Sequence, residues 1–351
     1  MSHNGKRRAS NKTERHLLMR SQQEVEALTA QFRQDLLRLE AEINKVIVGQ
    51  DLLVRGVLIG MFCEGNVLLE GTPGLGKTQL VKTISDTMNL KFGRIQFTPD
   101  LMPADILGTN VIVEQEDGRK EYELLEGPIF ANILMADEIN RAIPKTQAAL
   151  LEAMQERSVT IFRKSHKLSR PFLVLATQNP IEMEGTYPLP EAQLDRFLFK
   201  LNVQRPDRQA MHRILELTTG VKAPKAESVI TTERILEMQS LVREVEIDHL
   251  RRDYVVRLVE ATHPESTSAP DIVKRYVRFG SSPRGAQAIL LSSKVRCLAE
   301  GRFSVSSEDI RYVAKPALRH RMILSFEGEA EGITSDQILD GLFQAIPEVE
   351  K

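Results

Sequence analysis

Tryptophan is absent from this sequence, and aromatic residues make up only 5% of its 351 positions. Surfaces that grip single-stranded nucleic acid interleave several stacking aromatics with basic tracks, so this composition argues against such a partner. The 47 Lys and Arg against 48 Asp and Glu leave a formal charge of −1, with no bulk positive field to wrap a polyanion. Only two cysteines occur, Cys63 and Cys297, far apart and outside any CxxC or Cys/His cluster. They read as inert thiols in a reducing compartment. The seven histidines fall in no HxxxH or HExxH spacing, so a protein-bound transition metal is not expected. Long apolar runs are missing too. The longest, Gly56–Cys63, is far too short to span a bilayer, and the N-terminus lacks the apolar middle of a secretory signal. The expectation is a cytoplasmic protein without membrane insertion.

What remains is ordinary globular composition, 42% hydrophobic and 27% charged, in a chain long enough for two domains with tails. Residues 1–20 hold six Lys or Arg against the single acid Glu14 and read as a basic, disordered tail. Leu28, Phe32, Leu36, Leu39 and Ile43 then recur at spacings of three and four, one face of an amphipathic helix. From Asn66 to Val203, short β-type runs alternate with helical ones. The strand candidates are Asn66–Glu70, Phe92–Phe97, Ile133–Ala136, Phe172–Thr177 and Phe199–Val203. Between them lie helical patterns such as Pro144–Glu156, with proline at the helix start where it is favoured. Such alternation predicts a parallel sheet covered by helices.

Two inserts interrupt the pattern. Pro99–Ile129 carries β-type runs at Asn110–Glu114 and Lys120–Leu124 around a turn at Asp117-Gly118. Ser158–Ser169 also resembles a hairpin, with its tip at Arg163–Lys167. After Arg205-Pro206-Asp207 the strands stop, and helical patterns run from Glu233 to Arg321. The expected organisation is a basic tail (1–20), an α/β core (21–204), a linker (205–230), an all-helical domain (231–326) and an acidic tail (327–351).

The chemistry is written in four places. Gly71, Thr72, Pro73, Gly74, Leu75, Gly76, Lys77 and Thr78 fit GxxxxGK[ST], after an apolar strand and before a helix opening at Gln79. Such a loop needs glycine because its backbone N–H groups must curl around phosphate with no Cβ in the way. Lys77 is expected to reach the β- and γ-phosphates of ATP, and Thr78 to hold Mg²⁺. Next, the buried run Ile133–Ala136 ends in Asp137 and Glu138, at a strand end facing the ligand crevice of such sheets. Asp137 is expected on Mg²⁺ through water, and Glu138 on the attacking water. A GTPase would show DxxG at this strand end and NKxD later; Asp137-Glu138-Ile139-Asn140 stands here and NKxD is absent, which favours an ATPase. Third, Asn179 follows the next strand, placed to hold the same water or the γ-phosphate. Last come Arg196, before the final core strand, and Arg284, at the start of a later helix. Either can be a surface salt-bridge arginine or a cation that reaches the γ-phosphate of a neighbouring subunit.

Together these residues resemble one family. The runs Thr98–Ile106, Ala136–Ala142, Ala176–Glu182 and Gly185–Phe197 are similar to those of MoxR AAA+ ATPases, and the match extends over roughly residues 40–325. The resemblance implies an α/β AAA+ core with five parallel strands in the order 5-1-4-3-2, followed by a helical lid. It implies a ring of identical chains, typically a hexamer, and hairpin inserts in helix 2 and before the sensor strand. On this pattern Asn179 is sensor 1, Arg196 the arginine finger and Arg284 sensor 2. Val48-Gly49-Gln50 matches the segment lining the adenine. Ile143 departs from the family's frequent proline, which touches a helix start and not the chemistry. Members commonly remodel or mature protein clients together with von Willebrand A-domain proteins. The competing readings are a helicase-type nucleic-acid motor, a magnesium-chelatase-like motor subunit, and a nucleotide switch without turnover. The basic hairpin around Phe162 and Arg163 speaks for the first, and the presence of Lys77, Glu138 and Asn179 against the last.

Overall fold

Strands buried on both faces require near-continuous apolar runs, and three such runs, flanked by two mixed edge strands, form the central sheet. The five strands are β1 (Val67–Glu70), β2 (Phe92–Gln96), β3 (Ile133–Asp137), β4 (Leu173–Gln178) and β5 (Phe199–Asn202). All pair in parallel, in the order β5-β1-β4-β3-β2, which is the 5-1-4-3-2 arrangement expected. The computed structural model of the protein describes residues 21–114, 120–180, 185–220 and 224–349. The basic stretch 1–20 and the Asp117-Gly118 turn lie outside the described residues.

Alternation along the strands divides the core in two. Val67, Leu69, Ile133, Met135, Leu173 and Leu175 face one side, where α1 (Gln22–Ile43), α2 (Asp51–Phe62) and α3 (Lys77–Thr87) pack. Leu68, Leu134, Ala136, Val174 and Ala176 face the other, covered by Leu150, Leu151 and Met154 of α4 (Pro144–Glu156). Ser21 and Glu24 close a capping box at the start of α1, whose Phe32, Leu36, Leu39 and Ile43 are buried as their spacing predicts. The first cluster continues without a break into the C-terminal helices, through Tyr254, Leu258, Ile289, Ile310 and Ile338.

Four expectations are corrected. The hairpin tip is Phe162-Arg163, and Lys164–Lys167 forms the return strand, with Ile161 opposite Lys164. Both tip residues take positive φ, 45° and 66°, as a two-residue type I′ turn demands. The stretch 205–230 contains α5 (Arg208–Thr219), capped by Asp207. The C-terminal domain, with α6 (Thr232–Glu244), α7 (His249–Glu260), α8 (Pro283–Ala299) and α9 (Ser307–Leu318), is not wholly helical. Val277–Phe279 pairs antiparallel with Ile323–Leu324. Finally, the acidic end holds α10 (Ser335–Ala345), which buries Ile338, Leu339 and Leu342 in the shared core.

Beside this shared apolar interior, one contact between the core and the helical domain is polar. Arg321 donates through Nε to Asp195 Oδ1 at 2.9 Å, through Nη1 to the Leu198 carbonyl, and through Nη2 to the carbonyls of Asp195 and Phe197. His320 lies beside it, with Nε2 3.1 Å from the Phe197 carbonyl. Burial, and then the positive charge of Arg321, hold this imidazole well below its ordinary 6.5. Folded His320 therefore stays neutral where the unfolded chain takes up a proton, so acid favours unfolding. Stability should fall below pH 6.5, at most about 1.4 kcal/mol per pH unit from this group. Urea unfolding at pH 7.5 and 5.5 should show a smaller acid loss in His320→Gln, which keeps a donor for Phe197 and cannot titrate.

Candidate functional site

At the end of β1 the chain turns through Gly71–Gly76 and enters α3 at Lys77. Gly74 and Gly76 have φ of 82° and 75°, values that side chains rarely adopt, and nothing stands within 4 Å of where their Cβ atoms would be. The result is an open backbone cradle over the N-terminus of α3, where N–H groups and the helix dipole favour an anion. Lys77 lies across the loop, its Nζ donating to the Gly71 carbonyl at 2.5 Å and the Thr72 carbonyl at 3.2 Å. The cleft above, about 480 Å³, is lined by residues 73–79 and by Lys82, Asp137, Glu138, Thr177 and Asn179. Most of the expected site residues therefore converge.

Neighbouring residues on a strand point to opposite faces, yet Asp137 and Glu138 both line this cleft. The chain manages this by breaking the strand: Glu138 has φ 56° and ψ 50°, a left-handed conformation that a non-glycine residue enters at a cost of about 1–2 kcal/mol. Thr177, fully buried on β4, secures the turn. Its hydroxyl donates to Asp137 Oδ1 at 2.7 Å and accepts the Glu138 N–H at 2.8 Å. Arg94 donates to Asp137 Oδ2 at 2.8 Å. Gln96 and Arg141 both donate to Glu138 Oε2, each at 2.9 Å. None of Thr177, Arg94, Gln96 and Arg141 was identified from the sequence. Parallel register supplies the missing signal, since Gln96 lies opposite Asp137 across the β2–β3 pair.

The remaining site residues fall in two other clefts. Gly49 and Gln50, following Val48, line a cleft of about 500 Å³ with Leu53, Leu201 and Tyr312. It adjoins the phosphate loop through the end of β5, where a Cβ on Gly71 would meet Val203 at 2.9 Å. Arg196 and Arg284 share a third cleft, about 260 Å³, with Asp195, Arg243 and Arg321, and no residue of Gly71–Thr78 lines it. Arg196 donates through Nη1 to the Leu151 carbonyl at 3.0 Å, and its Nε is buried without a partner. Arg284 stands 3.7 Å from Asp195.

The donor set suits Mg²⁺. Thr78 and Asp137 offer hard oxygens to one polar cleft, and no cluster of three His, Cys, Asp or Glu forms an all-protein cage among the described residues. An ion that keeps waters and takes phosphate oxygens needs only one or two such ligands. No helix among the described residues is long and apolar enough to cross a membrane.

Comparisons with known proteins give the family of the chain. The profile of the ATPase family associated with various cellular activities (AAA) matches residues 66–199, and that of the AAA lid domain matches residues 270–342. Chaperone MoxR1 of Mycobacterium tuberculosis is 44% identical over 310 residues, 88% of this chain and 81% of that protein. Protein MoxR of Methylorubrum extorquens is 33% identical over 344 residues, 92% of this chain and 97% of that one. A crystal structure from Cytophaga hutchinsonii, of a protein assigned as an ATPase, superposes with a TM-score of 0.86 at 37% identity. The superposition covers 94% of this chain and 99% of that one.

Because one hydroxyl aligns both acids, Thr177→Val should slow ATP turnover about 10²-fold while leaving nucleotide binding intact. Thr177→Ser, which keeps the hydroxyl, should stay close to wild type. Steady-state phosphate release and titration with a fluorescent nucleotide measure the two quantities separately.

Proposed function

This chain belongs to the MoxR family of AAA+ ATPases, and we propose that its ATP hydrolysis requires Mg²⁺, takes place in a ring of identical chains, and drives remodelling or maturation of protein clients. One observation carries the shared site. Arg196 and Arg284 stand in a cleft to which their own phosphate loop contributes nothing, so a γ-phosphate can meet them only if another chain brings it.

Within one chain, Lys77 and the N-terminus of α3 offset the phosphate charge, and residues 48–50 border the adenine. Thr78 and Asp137 would hold Mg²⁺, which when bound shields the β- and γ-oxygens. Glu138 polarises the attacking water, and Asn179 fixes its direction. The neighbouring chain's Arg196 and Arg284 stabilise the charge that develops on the transferring phosphoryl group. Gln96 and Arg141 both donate to Oε2 of the Glu138 carboxylate and hold the group aside by that oxygen. A hexameric ring, a von Willebrand A-domain partner and a cytoplasmic location complete the reading. They are supported by the family resemblance.

Lys77→Ala should lose ATP binding, whereas Glu138→Gln should bind ATP and fail to turn it over. Arg196→Ala should bind ATP and assemble, with turnover reduced about 10³-fold. Mixing Arg196→Ala with Glu138→Gln then tests the shared site. After exchange, some interfaces pair an intact Glu138 with an intact Arg196, and hydrolysis should return. Exchange verified by fluorescence transfer with no recovered activity, together with a linear response to added wild-type chains, would remove the shared site from this reading.

A further inference from the structure

The cleft of Arg196 and Arg284 does not end with them. It runs into a groove of about 640 Å³ in the helical domain through three shared lining residues, Arg243, Gln287 and Leu291. Arg243 sits in the last turn of α6. Its charge acts on the Cys63 thiol, which lines the first cleft, and on the Lys294 ammonium, which lines the second. The guanidinium therefore stands at the junction.

Other cations of this cleft are tied down. Arg321 is buried against Asp195, Arg284 leans on the same carboxylate, and Arg196 is bonded to Leu151. Arg243 is exposed and makes no ion pair or side-chain hydrogen bond among the described residues. Nearby, burial and the charges of Arg243 and Arg252 hold the half-buried Lys294 ammonium below its ordinary range. Like charges gathered so closely repel one another, and an anion brought among them relieves the repulsion.

We propose that Arg243 is a third cation acting across the interface, reaching phosphate oxygens of the nucleotide held by a second copy of this chain. The inference rests on the reading that Arg196 and Arg284 act on a neighbour's nucleotide. A phosphoryl group in transfer spreads its charge over three equatorial oxygens, and a planar guanidinium can donate two parallel hydrogen bonds to such a group. Arg243 has its donors uncommitted and shares a cleft with the two arginines already assigned.

The test uses the full chain at concentrations where sedimentation shows the wild type assembled. Arg243→Ala should assemble and bind ATP within about threefold of wild type, with turnover lowered about 10²-fold and retention of ADP–aluminium fluoride lost. Arg243→Lys should recover only part of the turnover, since it supplies a charge without the planar fork. Arg243→Ala mixed with Glu138→Gln should regain hydrolysis. Should the alanine variant assemble poorly, Arg243→Gln keeps the size of the side chain and takes its place. Turnover of Arg243→Ala near wild type overturns the proposal. So does a loss that mixing cannot repair, when the Arg196→Ala and Glu138→Gln mixture does recover. Failure of that control mixture instead overturns the shared site itself, and the role of Arg243 with it.

Discussion

A guanidinium taken out of water must find acceptors for all its donors, and Arg321 meets this demand by gripping the chain just before β5. Its side chain is 3% exposed, and burial pulls its proton affinity down to about 10 even though Asp195 holds it up. It remains charged at neutral pH, and removing its carboxylate would cost about 3–5 kcal/mol. The same carboxylate accepts the Ser282 hydroxyl at 2.9 Å and faces Arg284. Asp195 thus seats the first turn of α8 against the residue next to Arg196. One ion pair between the sheet and the helical domain gathers two cations, more than 80 residues apart in sequence, into one cleft.

Chemistry inside the phosphate cleft depends on a smaller device. A regular strand would send Asp137 and Glu138 to opposite faces of the sheet. The positive φ at Glu138 brings both into the cleft, and the buried Thr177 hydroxyl answers the N–H and the carboxylate that the break displaces. Strain of this kind persists where the surroundings over-determine it, and here the fixation comes from an adjacent strand. That strand also leads to Asn179, so Glu138 and Asn179, the two residues we propose to position the water, share one support.

Most of the fold could be read from the sequence because the three central strands are unbroken apolar runs, and all five strands of the sheet begin and end within one residue of those expected. The phosphate loop was legible because its glycines are needed by geometry and their spacing is fixed. Other features left weaker marks. Phe162 and Arg163 are poor candidates for left-handed backbone, so the basic run Arg163–Lys167 reads as the hairpin tip although only its first residue lies in the turn. In the acidic C-terminal stretch, charge drew attention away from Ile338, Leu339, Leu342 and Ile346, which bury one face of α10. Thr177, Gln96 and Arg94 act through register between strands distant in the chain, which periodicity along one strand does not reveal. The company kept by Arg284 depends on where the helical domain docks, and only the folded chain discloses that.

The unbroken apolar cluster that runs from one face of the sheet into the C-terminal helices bears on how such a chain can transmit force. Domains joined by a thin, polar seam can swing on a hinge, whereas domains that share a close-packed interior cannot slide without opening voids on both sides. Closing around a nucleotide by bending in the middle would tear Tyr254, Ile289 and Ile338 from the packing that also buries Val67 and Leu175. The chain is therefore stiff between its two domains. In the ring we propose, the compliance would then lie at the seams between chains, and hydrolysis would be read out as a change of angle between neighbours.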